Sequence, residues 1–375
     1  MKYAVVGFGT AGYHAVKKIR ELDKEGCIDV YSNTGRAPYN PMLTTYYAFG
    51  KLEYEGMFPF GDLEQIQKEV DFNLRREQVI KVHGSEHLVE TENGSEQYDR
   101  ILIATGARAF APPVKGLEPE DAFLMRTVED ALRFKDRLKK NDIKHAVVIG
   151  ASMAGIKVVE VLHKYGIETW LLDLASYIFP LAAYKEVAKE IEKRVEAQGV
   201  HLMFGVTIDH MEQENGEKTA VLTDGSRIPA DIVGLCIGTR AITDTVQGEV
   251  EIGRGIVVDD HMRTSVPGIY AAGDCCEGNN LESGQNQIIG LWANANHQGE
   301  TAGINMAGGD MAYKGNILHN ITHFMNMDFI GFGDNRMQGE VLEYGSLSED
   351  LYIRLVLDGK RIVGANILDN YRVSG

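Results

Sequence analysis

Short apolar runs alternate with helical stretches from the first residues onward. Tyr3–Val6 is apolar without a break, which predicts a strand buried on both faces. Ala15, Val16, Ile19 and Leu22 then recur at helical spacing. Ile28–Tyr31 reads as a second strand. Val79–Val82 and His87–Thr91 read as a hairpin, repeated loosely up to Tyr98, and Tyr98–Gly106 contains a buried strand. Residues 107–119, rich in Pro and Gly, read as a linker. Thr127–Leu138 is predicted helical, with Thr127 as N-cap and Asp130 at the capping-box position. Strand, turn and helix recur from His145, followed by strands at Glu168–Leu172, Gly199–Phe204, Ala220–Leu222 and Asp231–Gly238. Residues 288–307 are predicted helical, and Leu351–Leu368 forms a hairpin around Asp358-Gly359. The alternation predicts an α/β protein.

Two turns in this pattern carry chemistry. The first strand runs into Gly7-x-Gly9-x-x-Gly12 and then a helix. Gly7 permits the tight turn, Gly9 lets backbone approach a pyrophosphate, and Gly12 lets helix and strand pack closely, with helix N–H groups facing the anion. The second turn, Gly150-Ala-Ser152-Met-Ala154-Gly155, stands in the same context some 140 residues later, with Ser152 in place of the middle glycine and its hydroxyl able to face a phosphate. Two such units predict two dinucleotides, one per domain. The strand after the second turn ends in Asp173, 23 residues beyond Gly150, where a carboxylate holds a ribose 2′-hydroxyl and favours NADH over NADPH. At the first site the matching place is Ser32-Asn33-Thr34. Ser32 or Asn33 is able to hydrogen-bond a ribose, and a plain polar turn fits equally well. Arg36–Lys51 is unusually aromatic, which suits either a core or something flat packed against it.

Composition narrows the functions. The chain has 375 residues, room for two or three domains, and a net charge of -16, which opposes general nucleic-acid binding. Its four cysteines (Cys27, Cys236, Cys275 and Cys276) form no CxxC or CxxxxC, so a reducing, cytoplasmic setting is expected. No signal peptide and no membrane-spanning run are expected. His319 and His323 are four apart without an evident third ligand, so no metal site is assigned.

Together, Gly7–Gly12, Ala104-Thr105-Gly106, Arg126–Asp130, Gly150–Gly155 and Thr264–Asp274 resemble, in order, the two-dinucleotide-domain flavoproteins of the pyridine nucleotide–disulfide oxidoreductase superfamily. The resemblance implies two Rossmann-like domains, an FAD domain (1–110 and 240–312) split by an inserted NAD(H) domain (111–239), and a short β-rich interface domain (313–375) that looks truncated. It implies FAD contacts from Gly7, Gly9, Thr10, Ala11, Gly12, Ser32, Asn33, Lys51, Val79, Ala104, Thr105, Gly106, Gly273, Asp274 and Trp292. It implies NAD contacts from Gly150, Ser152, Ala154, Gly155, Asp173 and Gly238. The helix through Trp292, Ala295, Gln298 and Gly299 would aim its N-terminus at the flavin pyrimidine; Trp292 reads equally as a core anchor.

The chain also departs from the family. Where the disulfide reductases carry redox cysteines it has Asn40-Pro-Met-Leu-Thr44, which brings it nearer the nitrite-reductase and rubredoxin-reductase branch. Where the family often carries Glu near the nicotinamide it has Lys157, read as a solvated helix lysine in preference to a partner of cofactor charge. Cys275-Cys276 reads as structural thiols, because adjacent cysteines rarely close a disulfide. The expected activity is an NADH-linked FAD oxidoreductase, with hydride passing between stacked rings and electrons leaving to an iron–sulfur or rubredoxin-like protein. A specific version is the flavin subunit of a 2-oxoacid oxidoreductase of the phenylglyoxylate type. The alternatives are a stand-alone NADH oxidase or peroxidase, and a flavin-binding scaffold. No general acid or base is assigned, since the cofactors carry the chemistry. A homo-oligomer is an open expectation, weakened by the short C-terminus.

Overall fold

A computed structural model describes residues 1–347 and 351–370. The α-helices among them are α1 (Thr10–Leu22), α2 (Leu43–Phe49), α3 (Leu63–Glu69), α4 (Val128–Leu138), α5 (Met153–Lys164), α6 (Lys185–Glu196) and α7 (Trp292–Met306). The chain divides into two compact units. The first comprises 1–40, 54–108 and 240–317; the second comprises 41–53, 109–239 and 318–375.

The first unit is organised by a five-stranded parallel sheet in the order Ile269–Ala271, Arg100–Ile103, Lys2–Val6, Cys27–Tyr31, Asn73–Arg75. Tyr3, Ala4, Val5 and Ile101–Ile103 are fully buried, as an unbroken apolar run predicts for a sheet covered on both faces. Helix α7 lies against α1 through two small residues one turn apart. A Cβ on Gly299 would stand 2.3 Å from the Ala11 carbonyl oxygen, and one on Gly303 2.5 Å from that of Ala15. This helix begins at Trp292 and not at 288, because Asn286–Gln287 pairs as a strand with Gly278–Asn279. The predicted hairpin is a three-stranded antiparallel sheet, Val79–His83, Leu88–Thr91 and Gly94–Gln97.

The second unit repeats the plan. Its parallel sheet runs His201–Phe204, Glu168–Asp173, His145–Ile149, Ile232–Leu235, Ala122–Phe123. Helix α4 has the predicted capping box: the Thr127 side chain accepts from Asp130 N–H, and the Asp130 carboxylate accepts from Thr127 N–H. A three-stranded antiparallel sheet, Ile208–Glu214, Glu217–Leu222 and Arg227–Pro229, accompanies it. The segment expected to form a separate interface domain is grouped here. It is an antiparallel sheet ordered His319–Phe324, Met327–Gly333, Arg361–Leu368, Leu351–Asp358, Glu340–Ser346. The predicted hairpin around Asp358-Gly359 joins two of its strands. His319 and His323 lie on one strand and not on a helical turn, so their spacing separates them, and His323 Nδ1 is 2.7 Å from Asp328.

Candidate functional site

The first unit gathers most of the residues expected to hold one nucleotide. Gly7 has φ +104°, and a Cβ there would lie 2.3 Å from the Ala104 carbonyl oxygen; a Cβ on Gly12 would lie 2.2 Å from Gly7 O. A Cβ on Gly9 would meet nothing within 4 Å, so the space in front of the turn is open. Gly9 is also the N-cap of α1 and no side chain caps the helix, leaving the first-turn N–H groups, from Thr10 and Ala11 onward, directed at that space. This suits a pyrophosphate. Gly273 N–H donates to Gln298 Oε1 at 2.9 Å, which seats the turn carrying Asp274 on α7. Trp292 opens α7 and stacks on Phe60, centroids 5.6 Å apart, while its indole N–H is buried with no partner among the described residues. A buried, unpaired donor at a helix N-terminus suits an acceptor edge such as that of a flavin.

Other members of the first set are already engaged. Thr105 donates its hydroxyl proton to Ile242 O at 2.6 Å. Ser32 Oγ accepts from Gly35 N–H, and Asn33 Nδ2 donates to Gln78 Oε1 at 2.8 Å, so this turn closes largely on itself. Val79 is buried, with its carbonyl accepting from Gln78 Nε2. Lys51 is grouped with the second unit.

The second unit repeats the glycine geometry. Gly150 also has φ +104°, with a Cβ position 2.3 Å from Cys236 O, and a Cβ on Gly155 would be 1.9 Å from Gly150 O. Ser152 caps α5: its Oγ accepts from Gly155 N–H and donates to Cys236 O at 3.1 Å. The hydroxyl expected to face a phosphate is thus turned to the backbone. Asp173 Oδ2 accepts from Ala151 N–H and Oδ1 from Ala175 N–H, both at 2.7 Å. The carboxylate braces the glycine turn and the loop after its own strand, and each oxygen retains a lone pair for a ribose hydroxyl. Gly238, exposed at φ +103°, accepts from Phe110 N–H.

Lys157 is not a solvated helix lysine. It is buried, and its ammonium donates to Glu160 and to His323 O at 2.8 Å. Glu160, equally buried, also accepts from Lys51 Nζ at 3.2 Å and Met325 N–H at 3.1 Å. Burial pushes Lys157 below the usual lysine value, against the pull of Glu160. Burial pushes Glu160 upward, but the hydrogen bond from Lys157, the two ammonium charges and the Met325 N–H together hold it below the usual carboxylate range. The sequence signal was a Lys and a Glu three apart on one helix; the third member, Lys51, was legible only in space.

Three of the four cysteines, Cys236, Cys275 and Cys276, are buried. Cys275 donates to Ile103 O and Ala272 O, and Cys276 to Gly273 O, from fully buried positions. The neighbouring thiol and burial push Cys276 well above its ordinary value, and burial pushes Cys236 up to about 12.

Residues 1–299 match the family of the pyridine nucleotide-disulphide oxidoreductases. The chain belongs to it. The epsilon subunit of the NADH-dependent phenylglyoxylate dehydrogenase of Aromatoleum evansii is 28% identical over 91% of this chain and 82% of that subunit. The ferredoxin–NAD(+) reductase component of a 3-phenylpropionate/cinnamic acid dioxygenase from Photorhabdus laumondii subsp. laumondii is 27% identical over 82% and 77%. The NADH-bound water-forming NADH oxidase of Lactobacillus brevis shares the fold, with a TM-score of 0.91 at 24% identity, over all of this chain and 88% of that one. The protein is an FAD-dependent oxidoreductase that works with a nicotinamide nucleotide. No helix among the described residues is long and apolar enough to cross a membrane.

Proposed function

We propose that this oxidoreductase draws electrons from NADH and passes them to a separate protein carrying an iron–sulfur centre, as the flavin subunit of a larger assembly. The observation that carries this reading is the placement of its sulfur. Residues 28–235 contain no cysteine, and the three cysteines beyond are buried, with Cys275 and Cys276 bound to backbone carbonyls. Cys27 is the one exposed thiol among the described residues and has no second accessible thiol to pair with, so no dithiol relay is available and electrons leave from the flavin itself. The names of the phenylglyoxylate dehydrogenase and ferredoxin reductase relatives support a protein acceptor. Free cysteines support a reducing compartment, the cytoplasm.

In this reading FAD is held by 1–110 with 240–312, and NAD(H) by 111–239, with 313–375 as the interface segment. FAD, when bound, supplies hydride acceptance and the release of electrons singly or in pairs. The α1 N-terminus and Gly7–Gly12 bind its pyrophosphate; Ser32, Asn33 and Val79 meet the adenosine end. Ala104–Gly106, Gly273 and Asp274 line its middle, and Trp292 donates from the N-terminus of α7. Gly150–Gly155 cradle the NADH pyrophosphate, Gly238 lies alongside, and Asp173 accepts from the ribose and disfavours a 2′-phosphate by charge.

Anaerobic titration of the purified protein with NADH tests this. The flavin's visible band is expected to bleach, and to recover quickly on adding an oxidised iron–sulfur protein but slowly in air. Rapid recovery in air alone would establish the oxidase alternative, and failure to bleach a tightly held flavin the scaffold.

A further inference from the structure

Apart from Lys51, the aromatic run that the sequence singles out at 36–51 is given to neither nucleotide site. Within the second unit it forms α2, and lysines surround its rings. Lys135 Nζ lies 3.8 Å from the centroid of Tyr47, Lys164 Nζ 4.4 Å from that of Phe49, and Lys51 Nζ 4.4 Å from the same ring. Lys157 closes the inner side, 4.6 Å from Tyr46. Lys51 and Lys164 are exposed and Lys135 half-buried. Glu160 offsets Lys51 and Lys157 on the inner side, and the outer lysines Lys135 and Lys164 pair with no carboxylate among the described residues. On a chain of net charge -16 this is a local reversal of sign.

From this arrangement we infer that the outer face of α2, with Lys135 and Lys164, is the docking surface for the acidic face of a small iron–sulfur protein. The inference rests on the electron-transfer function proposed above. Three features favour this occupant. The charge is complementary to an acidic partner. The ammonium groups are already ordered over aromatic rings, so docking loses less side-chain entropy than it would at freely moving lysines. Seven helical residues span about 10 Å, too short for a nucleic-acid track. NADH supplies two electrons and releases NAD+ and H+. A [2Fe–2S] carrier takes one electron at a time, so two oxidised carriers dock in turn and leave reduced.

The test compares the full-length protein with its Lys135→Glu/Lys164→Glu variant. Steady-state reduction of an acidic [2Fe–2S] ferredoxin, with cytochrome c as terminal acceptor, is set beside reduction of menadione, a neutral quinone. The expected result at low ionic strength is a rise of about tenfold or more in KM for ferredoxin, shrinking as salt is added, with menadione reduction unchanged. Should the reversal impair folding, Lys135→Gln/Lys164→Gln takes its place, with a smaller rise in the same direction. A ferredoxin KM that neither variant moves overturns the docking surface and leaves the function standing. A wild-type protein that reduces menadione but no ferredoxin overturns the function on which it rests. Equal loss with both acceptors assigns the lysines to the stability of α2 and also overturns the surface.

Discussion

Replacing Glu160 with Gln removes the one negative charge between Lys157 and Lys51. The side chains of Glu160 and Lys157 are 8% and 9% exposed, so the variant leaves a buried ammonium without its counter-ion, a change that typically costs about 3–5 kcal/mol. Lys51, 31% exposed, returns to water and adds little. The glutamine oxygen still accepts one of the former donors, which puts the expected loss near the lower end, about 3 kcal/mol. With a urea dependence of about 2–3 kcal/mol per molar, the unfolding midpoint of the transition reported by Trp170, in the second unit, falls by about 1 M or slightly more. The Lys157→Met/Glu160→Gln double variant leaves no buried charge and regains most of the loss. The pH dependence has a definite sign. Because the folded protein holds Glu160 below its ordinary value, this stabilisation is complete above the usual carboxylate range and disappears as pH falls through the lowered value. Lys157, also lowered, acts oppositely: its burial costs stability at neutral pH that is recovered only in alkaline solution. A loss below about 1 kcal/mol, or a double variant no better than the single, refutes this account.

Three further outcomes are expected. Asp173→Asn sets an amide N–H₂ against one of two backbone donors and weakens ribose binding, so the KM for NADH rises about tenfold or more with flavin content unchanged; an unaltered KM removes Asp173 from the site. Gly7→Ala forces a Cβ to within 2.3 Å of Ala104 O at φ +104°, and the flavin-to-protein absorbance ratio of the purified variant falls sharply; a normal ratio contradicts the assigned role. Titration of native protein with a thiol reagent reads one group, Cys27, and four after denaturation, whereas rapid reaction of a second thiol reopens a redox role for Cys275-Cys276.

What could be read from the chain alone was whatever depended on local spacing. Both glycine turns, the parallel strands behind them, the Thr127 capping box and the Asp358-Gly359 hairpin are set by residues a few positions apart. What escaped was decided by partners far along the chain. Lys157 looked like a surface residue because its heptad neighbours say nothing of Lys51 or of the carbonyl of His323. Ser152 looked free to meet a phosphate, yet Cys236 O, 84 residues on, claims its proton. The start of α7 was misjudged by four residues because a short strand pairing, Gly278 with Gln287, overrides a helical composition.

The chain changes unit after residues 40, 53, 108, 239 and 317. A ribosome emitting about 5–20 residues per second therefore spends on the order of ten seconds between the two main parts of the first unit. Throughout that interval Arg100–Ile103 lacks the strand Ile269–Ala271 that later covers its open edge, while 109–239 can collapse on its own. The nascent first half is thus the portion left incomplete longest during synthesis, and faster elongation through 109–239 shortens its exposure.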